Sequence, residues 1–230
     1  MGENSSMRDT YYKHLRKQID FGRGLKRVAS EKTVLGLQQG QGLFSASAFQ
    51  EVFDAWDKRR LFVWSDHHFF HRNICQYAGR PFDSLFRMHE VFVGNAQNTL
   101  SDDDVVLWGG DVSFGAGEQT QEIMKQIPGK HFLILGNHDV DRKEKLKNLS
   151  SLFSGITDCL TLKFGHYNLW LSHYPILKED VPDQTICVHG HTHQHAILGP
   201  FTNMCVEHTN YTPFLLHDLV KQHHSYIGCD

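Results

Sequence analysis

The sequence predicts an α/β fold built around a buried sheet. Short runs rich in β-branched and aromatic residues alternate with helical patterns along the chain. Each run ends in a cluster of Asp, His, Asn and Gly residues. Strands that alternate with helices are typical of layered α/β folds. In such sheets ligands bind outside the carboxyl ends of the strands, so the polar clusters are expected to form the functional site.

Five apolar runs are the predicted strands. They are LFVWS (61–65) followed by DHHFFH, DVVLWGGD (104–111), HFLILGNHD (131–139), YNLWLSHYP (167–175) and TICVHGHTH (185–193). Helical patterns lie between several of them, at 84–100, 118–127 and 141–150. A further helix is predicted in SAFQEVFDAWDKRR, where Ser47 and Gln50 form a capping box ahead of an apolar stripe.

Composition places the chain among globular proteins without a membrane partner. Of its 230 residues 40% are hydrophobic and 21% charged, which excludes disordered and fibrous classes. No apolar run approaches the roughly 18 residues needed to cross a bilayer, and the N-terminus lacks the apolar core of a secretory signal. The five cysteines are widely spaced and form no CxxC pair, which argues against disulfides and a Cys-based zinc site. We therefore expect a cytoplasmic protein.

The first 45 residues are predicted to be a basic helical extension and linker. Tyr11, Leu15 and Ile19 recur every four residues among lysines and arginines, a pattern typical of a short amphipathic helix. A Gly/Gln/Ser-rich stretch, LGLQQGQGLFSAS, follows as the linker. Residues 1–60 carry 11 Lys+Arg against 7 Asp+Glu although the whole chain has a net charge of −3. The basic part is thus the extension, and residues 46–230 are the predicted main domain.

The polar clusters supply seven candidate metal-binding side chains. They are Asp66, His68, Asp111, Asn137, His173, His191 and His193. Nitrogen and oxygen donors without thiolate suit Mn, Fe, Zn or Ni rather than a soft copper site. Seven donors favour two ions over one. A pair of ions roughly 3.5–4 Å apart shares a bridging carboxylate and suits phosphoester hydrolysis.

In one segment, VHGHTHQH, the residue pattern alone does not show which histidines would bind a metal. It places a histidine at every second position from His189 to His195. In an extended chain all four imidazoles would point to the same side, so alternation alone does not choose among them.

Five motifs in order carry a resemblance to a known family. They are DxH at 66–68, GD at 110–111, GNHD at 136–139, the histidine of SHYP at 173 and GHxH at 190–193. This set resembles the motifs of the calcineurin-like metallophosphoesterases. NMCVEHTNYTPFLL also resembles the closing strands of small bacterial and phage members. The resemblance implies a four-layer α-β-β-α sandwich, the metallophosphoesterase fold, for residues 46–230.

The resemblance also implies a role for each motif residue. The first metal would be held by Asp66, His68, Asp111 and His193. Asp111 would bridge to the second metal, which Asn137, His173 and His191 would complete. A metal-bridging hydroxide would attack phosphorus, with His138 as the acid that protonates the leaving oxygen and Asp139 as its orienting partner. Within the histidine-rich segment His189 and His195 are left as neighbours. Mn²⁺ is the expected ion, with Fe, Zn or Ni as alternatives.

The chain departs from the phosphoprotein phosphatase branch of that family. That branch carries arginines near GD and before GNH, whereas this chain reads GDVSFG and LGNHD. The missing phosphate-clamping arginines argue against a Ser/Thr protein phosphatase. Replacement substrate contacts are expected from DHHFFHRNI and GRPF, namely His71, Arg72, Asn73 and Arg80.

The predicted function is that of a phosphodiesterase. Little sequence remains for a capping domain, so an open site admitting a nucleotide, cyclic nucleotide or nucleic-acid end is expected. His138 would supply the acid that a poor alkoxide leaving group needs. The alternatives are a phosphomonoesterase or nuclease with the same centre, or a non-catalytic scaffold of the same fold. The sequence leaves the oligomeric state open.

Overall fold

A five-stranded sheet and a four-stranded sheet form the centre of the protein in the computed structural model, which describes residues 46–140 and 150–225. The predicted basic extension at 1–45 and nearly all of the predicted helix at 141–150 lie outside these residues. The helices are α1 (Ala46–Asp57), α2 (Ile74–Tyr77), α3 (Leu85–Thr99), α4 (Gly117–Met124) and α5 (Leu216–His223). Short 3₁₀ helices lie at Ser150–Leu152 and Lys178–Asp180.

Parallel pairing dominates both sheets. The strands are β1 (Leu61–Trp64), β2 (Val105–Trp108), β3 (Lys130–Ile134), β4 (Gly155–Thr157), β5 (Cys159–Phe164), β6 (Tyr167–Ser172), β7 (Thr185–His189), β8 (Phe201–Asn203) and β9 (Phe214–Leu215). The first sheet has the order β4-β3-β2-β1-β9, with β9 antiparallel to β1. The second has the order β5-β6-β7-β8, with β5 antiparallel to β6.

Alternation along β1 shows how the layers pack. Leu61 and Val63 lie in the core between the two sheets, together with residues of β5, β6 and β7. Phe62 and Trp64 point the other way and pack with the apolar faces of α3 and α4. Because successive strand residues face opposite sides, one short strand serves both cores. The predicted α/β layering is therefore present.

The predicted elements recur with small shifts at their ends. All five predicted strands are found, and α1, α3 and α4 match predicted helices. The hydroxyl of Ser84 caps α3 by accepting the N–H of Arg87, which fixes where that helix begins. Strand β5, the very short β4 and β8, and helices α2 and α5 were not predicted as separate elements, and β9 lies in the NMCVEHTNYTPFLL stretch that resembles closing strands. None of the helices in the described residues is long and apolar enough to cross a membrane.

Candidate metal centre

The predicted donors all follow the carboxyl ends of strands. Asp66, Asp111 and Asn137 come just after β1, β2 and β3 of the first sheet. His173 and His191 come just after β6 and β7 of the second. Within each sheet these strands run parallel, so their ends lie at one edge. Donors far apart in the chain thus meet across the two sheets.

The structure collects six of the donors into two groups. The first donor group consists of Asp66, His68 and His193, and the second of Asp111, His173 and His191. Within each group the candidate ligand atoms lie within 4.8 Å of one another. Such clusters suit a cation, although acidic groups also cluster without one. The seventh donor, Asn137, places its Oδ1 3.1 Å from Nε2 of His173, beside the second group.

Asp111 lies between the two groups. Its Oδ2 is 3.5 Å from Nε2 of His68 in the first group and 3.5 Å from Nε2 of His173 in the second. Its Oδ1 accepts the backbone N–H of His138 at 2.8 Å. One carboxylate oxygen is thereby anchored to the backbone, and the other faces donors of both groups.

Five of the donors have a left-handed backbone. The φ angles are 61° at Asp66, 51° at His68, 55° at Asp111, 66° at His191 and 47° at His193. Such a conformation is uncommon for residues other than glycine and costs about 1 kcal/mol or more at each position. It persists where the surroundings determine it, and it clusters at functional sites. In each DxH and HxH pair the donors therefore sit on tight turns rather than on an extended strand.

The carboxylate of Asp66 is held on one side only. Its Oδ2 accepts Ser65 Oγ at 2.5 Å, the N–H of His191 at 2.9 Å and Cys205 Sγ at 3.2 Å. Its Oδ1 is buried and has no hydrogen-bond partner among the described residues. Nε2 of His68, 3.8 Å from this oxygen, is likewise buried and unpartnered. Buried polar atoms are normally satisfied, so this pair of atoms fits the binding of a cation.

Glycine is required where β7 leads into the donors. A Cβ placed on Gly190 would collide with Ser65 Oγ and with Asp66 Oδ2. The close approach lets the N–H of His191 reach the Asp66 carboxylate. Gly190 therefore connects the loop of the second sheet with that of the first.

His173 and His193 each direct one ring nitrogen to a supporting acceptor. Nδ1 of His173 lies 2.8 Å from the carbonyl oxygen of Gly109. Nδ1 of His193 lies 3.1 Å from Oε1 of Glu207. In both rings Nε2 faces a carboxylate of the site. Nε2 of His173 lies 3.5 Å from Asp111, and Nε2 of His193 lies 3.9 Å from Asp66. A supporting acceptor of this kind fixes ring orientation and tautomer at metal sites.

The side chain of Arg80 lies in the protein interior, beside the first donor group. Its side chain is buried, and its Nη2 lies 2.8 Å from Oε1 of Glu207. The same guanidinium donates to the carbonyl oxygens of Asp66 and His67, at 2.5 and 2.8 Å. The predicted contact with substrate differs from this arrangement, in which the guanidinium of Arg80 is directed into the protein. Arg80 instead supports Glu207 and the loop of the first donor group.

The other expected substrate contacts lie at the surface. Arg72 and Asn73 are exposed and His71 is half-buried. The ring of His71 lies 5.5 Å from that of His68, centroid to centroid. His71 thus borders the first donor group, and the exposed Arg72 and Asn73 follow it in the chain.

His138 stands at the mouth of the site and Asp139 beneath it. The His138 side chain is 43% exposed, and its Nε2 lies 3.9 Å from Oδ2 of Asp111. Asp139 is fully buried and accepts backbone N–H groups of Asp111, Val112 and Gly136 at 2.8–2.9 Å. Its carboxylate thereby ties the loop after β2 to the loop after β3. These contacts make Asp139 a support for the loops that carry Asp111 and His138.

The three buried carboxyl groups have different pKa values. It raises the pKa of Asp111 to about 7 and also raises that of Asp139. Burial acts on Asp66 in the same direction, but the charge of His173 and the contact with His68 outweigh it and hold the pKa of Asp66 well below its usual range. Opposite charge favours the ionised carboxylate, so a cation would favour ionised Asp111 as well.

Burial also keeps two of the imidazoles neutral. It lowers the pKa of His68 to about 4 and that of His191 to about 3. For His173 and His193 burial acts in the same direction, but neighbouring carboxylates outweigh it and raise the pKa. Neutral imidazole is the form that binds a metal. The burial, the donor types and the unpartnered atoms thus fit divalent ions.

Sequence reasoning missed the supports of the first donor group. Glu207, Cys205 and Ser65 were not singled out, although Glu207 lies in the NMCVEH stretch that follows β8. A polar residue shortly after a strand was the signal used for the other donors, and it applies here as well. His189 was predicted to be a neighbour of the site and not a ligand. In the structure it is buried, and its Nδ1 lies 2.9 Å from the carbonyl oxygen of Gly190.

Two curated proteins are similar to this chain. Uncharacterized protein MJ1445 of Methanocaldococcus jannaschii is 29% identical over 173 residues, which cover 71% of this chain and 90% of that protein. Gene 66 protein of Mycobacterium phage D29 is 28% identical over 188 residues, which cover 69% of this chain and 90% of that protein.

A solved structure and a family model are similar as well. The crystal structure of the protein of unknown function AQ665 from Aquifex aeolicus matches with a TM-score of 0.54 and 25% identity, covering 70% of this chain and 98% of that one. The model of the calcineurin-like phosphoesterases matches residues 59–227, well over half of the chain. The chain therefore belongs to the calcineurin-like phosphoesterase family. Membership of this family implies a hydrolase that uses divalent metal ions.

Proposed function

We propose that this protein is a phosphodiesterase that works with two divalent ions. The observation that carries the proposal is the position of Asp111. Its Oδ2 lies 3.5 Å from an imidazole nitrogen of each donor group. A carboxylate shared between two donor sets is what a pair of ions needs.

The proposed ligands follow from the two groups. The first ion would be held by Asp66, His68, His193 and Asp111, and the second by Asp111, Asn137, His173 and His191. When bound, the ions would activate water at neutral pH and neutralise the charge that develops on the phosphoryl oxygens. Mn²⁺ is our choice of working ion because the set holds imidazole and oxygen donors and no thiolate, and Fe, Zn and Ni share that preference in part.

The protein's own part in the reaction lies in proton delivery and positioning. Water adds to phosphorus, the bond from phosphorus to the leaving oxygen breaks, and that oxygen takes up a proton. We assign the proton donor to His138, whose half-exposed ring lies beside Asp111 at the mouth of the site. Asp139 holds the loops of Asp111 and His138 in register through backbone N–H groups. An alkoxide is a poor leaving group, so this acid suits diesters.

The proposed substrate is a nucleotide, a cyclic nucleotide or the end of a nucleic acid. Arg72 and Asn73 are exposed and follow His71, whose ring borders the first donor group, and we propose them as contacts for a phosphate or a base. The family match at 59–227 lies inside the proposed domain at 46–230. A cytoplasmic location, where the widely spaced cysteines would stay reduced, is part of the proposal.

The test is hydrolysis by protein stripped of metal. Bis-p-nitrophenyl phosphate should be hydrolysed when Mn²⁺ is added, and p-nitrophenyl phosphate should be hydrolysed less efficiently. Recovery on the monoester alone would favour a phosphomonoesterase. No recovery with Mn²⁺, Fe²⁺, Zn²⁺ or Ni²⁺ would contradict the proposal and favour a non-catalytic scaffold.

A further inference from the structure

A row of aromatic rings leads away from the candidate metal centre. The ring of Phe114 lies nearly parallel to that of His68, at 5.4 Å, and 4.7 Å from that of His138. It also lies 4.3 Å from the ring of His71, which is 5.9 Å from the ring of Tyr77. We call Phe114, His71 and Tyr77 the aromatic ledge. It begins in contact with a proposed ligand and the proposed acid.

The ledge faces solvent rather than the core. Tyr77 is 66% exposed and Phe114 is 38% exposed. Within the described ranges, they are two of the four large hydrophobic side chains that are exposed, the others being Phe86 and Leu198. Single exposed apolar residues are ordinary, but a contiguous set beside a polar site marks a ligand surface.

Polar groups border the ledge along one side. Arg72 and Asn73 are exposed and adjoin His71 in the chain. The amide of Asn73 lies 3.4 Å from the hydroxyl of Tyr77. Rings mixed with hydrogen-bonding groups and a cation suit a planar heterocycle with polar edges better than a hydrocarbon chain. Proteins that bind unpaired nucleotides combine such stacking rings with basic groups.

The position of the ledge determines what can lie on it. A phosphoryl group between the two donor groups would carry its ester substituents outward, past His138 and Phe114. We propose that the aromatic ledge binds an unpaired nucleobase on one substituent of the scissile phosphodiester. This inference rests on the proposed function and adds that the site selects substrates with an unpaired base next to the scissile phosphate.

Two diesters with the same leaving group test the proposal. Thymidine 5′-(p-nitrophenyl phosphate) carries a base, methyl p-nitrophenyl phosphate does not, and both release p-nitrophenolate. With Mn²⁺ we expect kcat/KM to be about tenfold or more higher for the thymidine ester, the size of one base–aromatic stack. Tyr77→Ala should reduce this ratio about tenfold, whereas Tyr77→Phe keeps the ring and should retain it. Phe86→Ala, at a 71% exposed phenyl group on α3, is the matched control and should leave the ratio unchanged.

The outcomes separate this inference from the function beneath it. Hydrolysis of both esters at equal efficiency, with a ratio unaffected by Tyr77→Ala, would overturn the ledge and leave the phosphodiesterase intact. Hydrolysis of neither ester would overturn both. Inhibition by dTMP and by a short single-stranded oligothymidylate identifies the source of the base. Equal potency supports a free nucleotide, stronger inhibition by the oligomer supports a strand end, and inhibition by neither contradicts the proposal.

Discussion

The two donor groups are held in place by different means. In the second group, backbone atoms do most of the holding: the Gly109 carbonyl oxygen contacts His173, and the His138 N–H donates to Asp111. In the first group buried side chains do much of the holding. Cys205 lies against Asp66, and Glu207 lies against His193. The second group is thus supported largely through backbone atoms, and the first largely through side chains.

This difference matters for how each group should fail. Backbone contacts survive most side-chain substitutions, whereas a buried ion pair loses its balance when one partner changes. Asp111 is a member of the second group that also faces His68 of the first, so it should be the most sensitive position of all.

Asp111→Asn should have the largest effect. The change keeps the size of the side chain but removes the shared negative charge between His68 and His173. We expect both ions to be weakened and kcat/KM on bis-p-nitrophenyl phosphate to fall about a thousandfold or more. Metal content by mass spectrometry and steady-state kinetics measure the two effects. The control is Asp102→Asn at an exposed carboxylate, and a variant that keeps two ions and full turnover would refute the shared role.

Glu207→Gln should damage the first group selectively. Glu207 and Arg80 form a buried ion pair. Removing the charge of Glu207 leaves the buried guanidinium of Arg80 uncompensated, which should lower the free energy of unfolding by about 3–5 kcal/mol. Loss of the carboxylate behind His193 should weaken one metal about 10- to 100-fold. Denaturant unfolding and calorimetric metal titration are the measurements.

The matched control for Glu207 is another glutamate that pairs with a cation. Glu122→Gln breaks an exposed pair with Lys125 and should change stability by about 1 kcal/mol or less. If Glu207→Gln behaved like Glu122→Gln, or weakened both ions equally, the contrast between the two groups would fail.

Gly190→Ala should have an intermediate effect at the point where the groups touch. Its Cβ would push against Ser65 and the Asp66 carboxylate, so we expect a cost of about 1–3 kcal/mol and weaker metal binding. Gly94→Ala on α3 meets nothing within 4 Å and should stabilise the protein by about 0.5–1 kcal/mol. Thermal unfolding of both variants checks the difference in sign. Equal stability of the two variants would show that the loop at Gly190 can accommodate a Cβ atom without strain.

Acid should loosen the loop of the first group slightly. Nε2 of His89 accepts the N–H of Phe70 at 3.1 Å, and burial lowers the pKa of His89 to about 4. Between that value and the ordinary pKa of about 6.5 the unfolded chain binds the proton more tightly, so stability falls as the pH drops through this window. His89→Gln keeps an acceptor without titrating and should flatten this slope. An unchanged slope in metal-free protein would exclude His89 as a source.

The part of the site that sequence could predict is the part built from local turns. DxH, GD, GNHD and GHxH follow predicted strands, and the structure places their donors together. Glu207 and Arg80 meet across 127 positions, and no periodicity or spacing connects them. Arg80 in GRPF was predicted to contact substrate, whereas its guanidinium is buried against Glu207. Aromatic contacts such as Phe114 with His71 were hidden for the same reason.

The most direct test of the central claim is electron paramagnetic resonance of the protein loaded with Mn²⁺, together with its metal content. Two ions that share the carboxylate of Asp111 should be spin-coupled, so we predict two Mn²⁺ per chain and the spectrum of a coupled pair. Asp111→Asn should abolish that coupling. One ion per chain, or two ions with the signals of isolated Mn²⁺, would contradict the account.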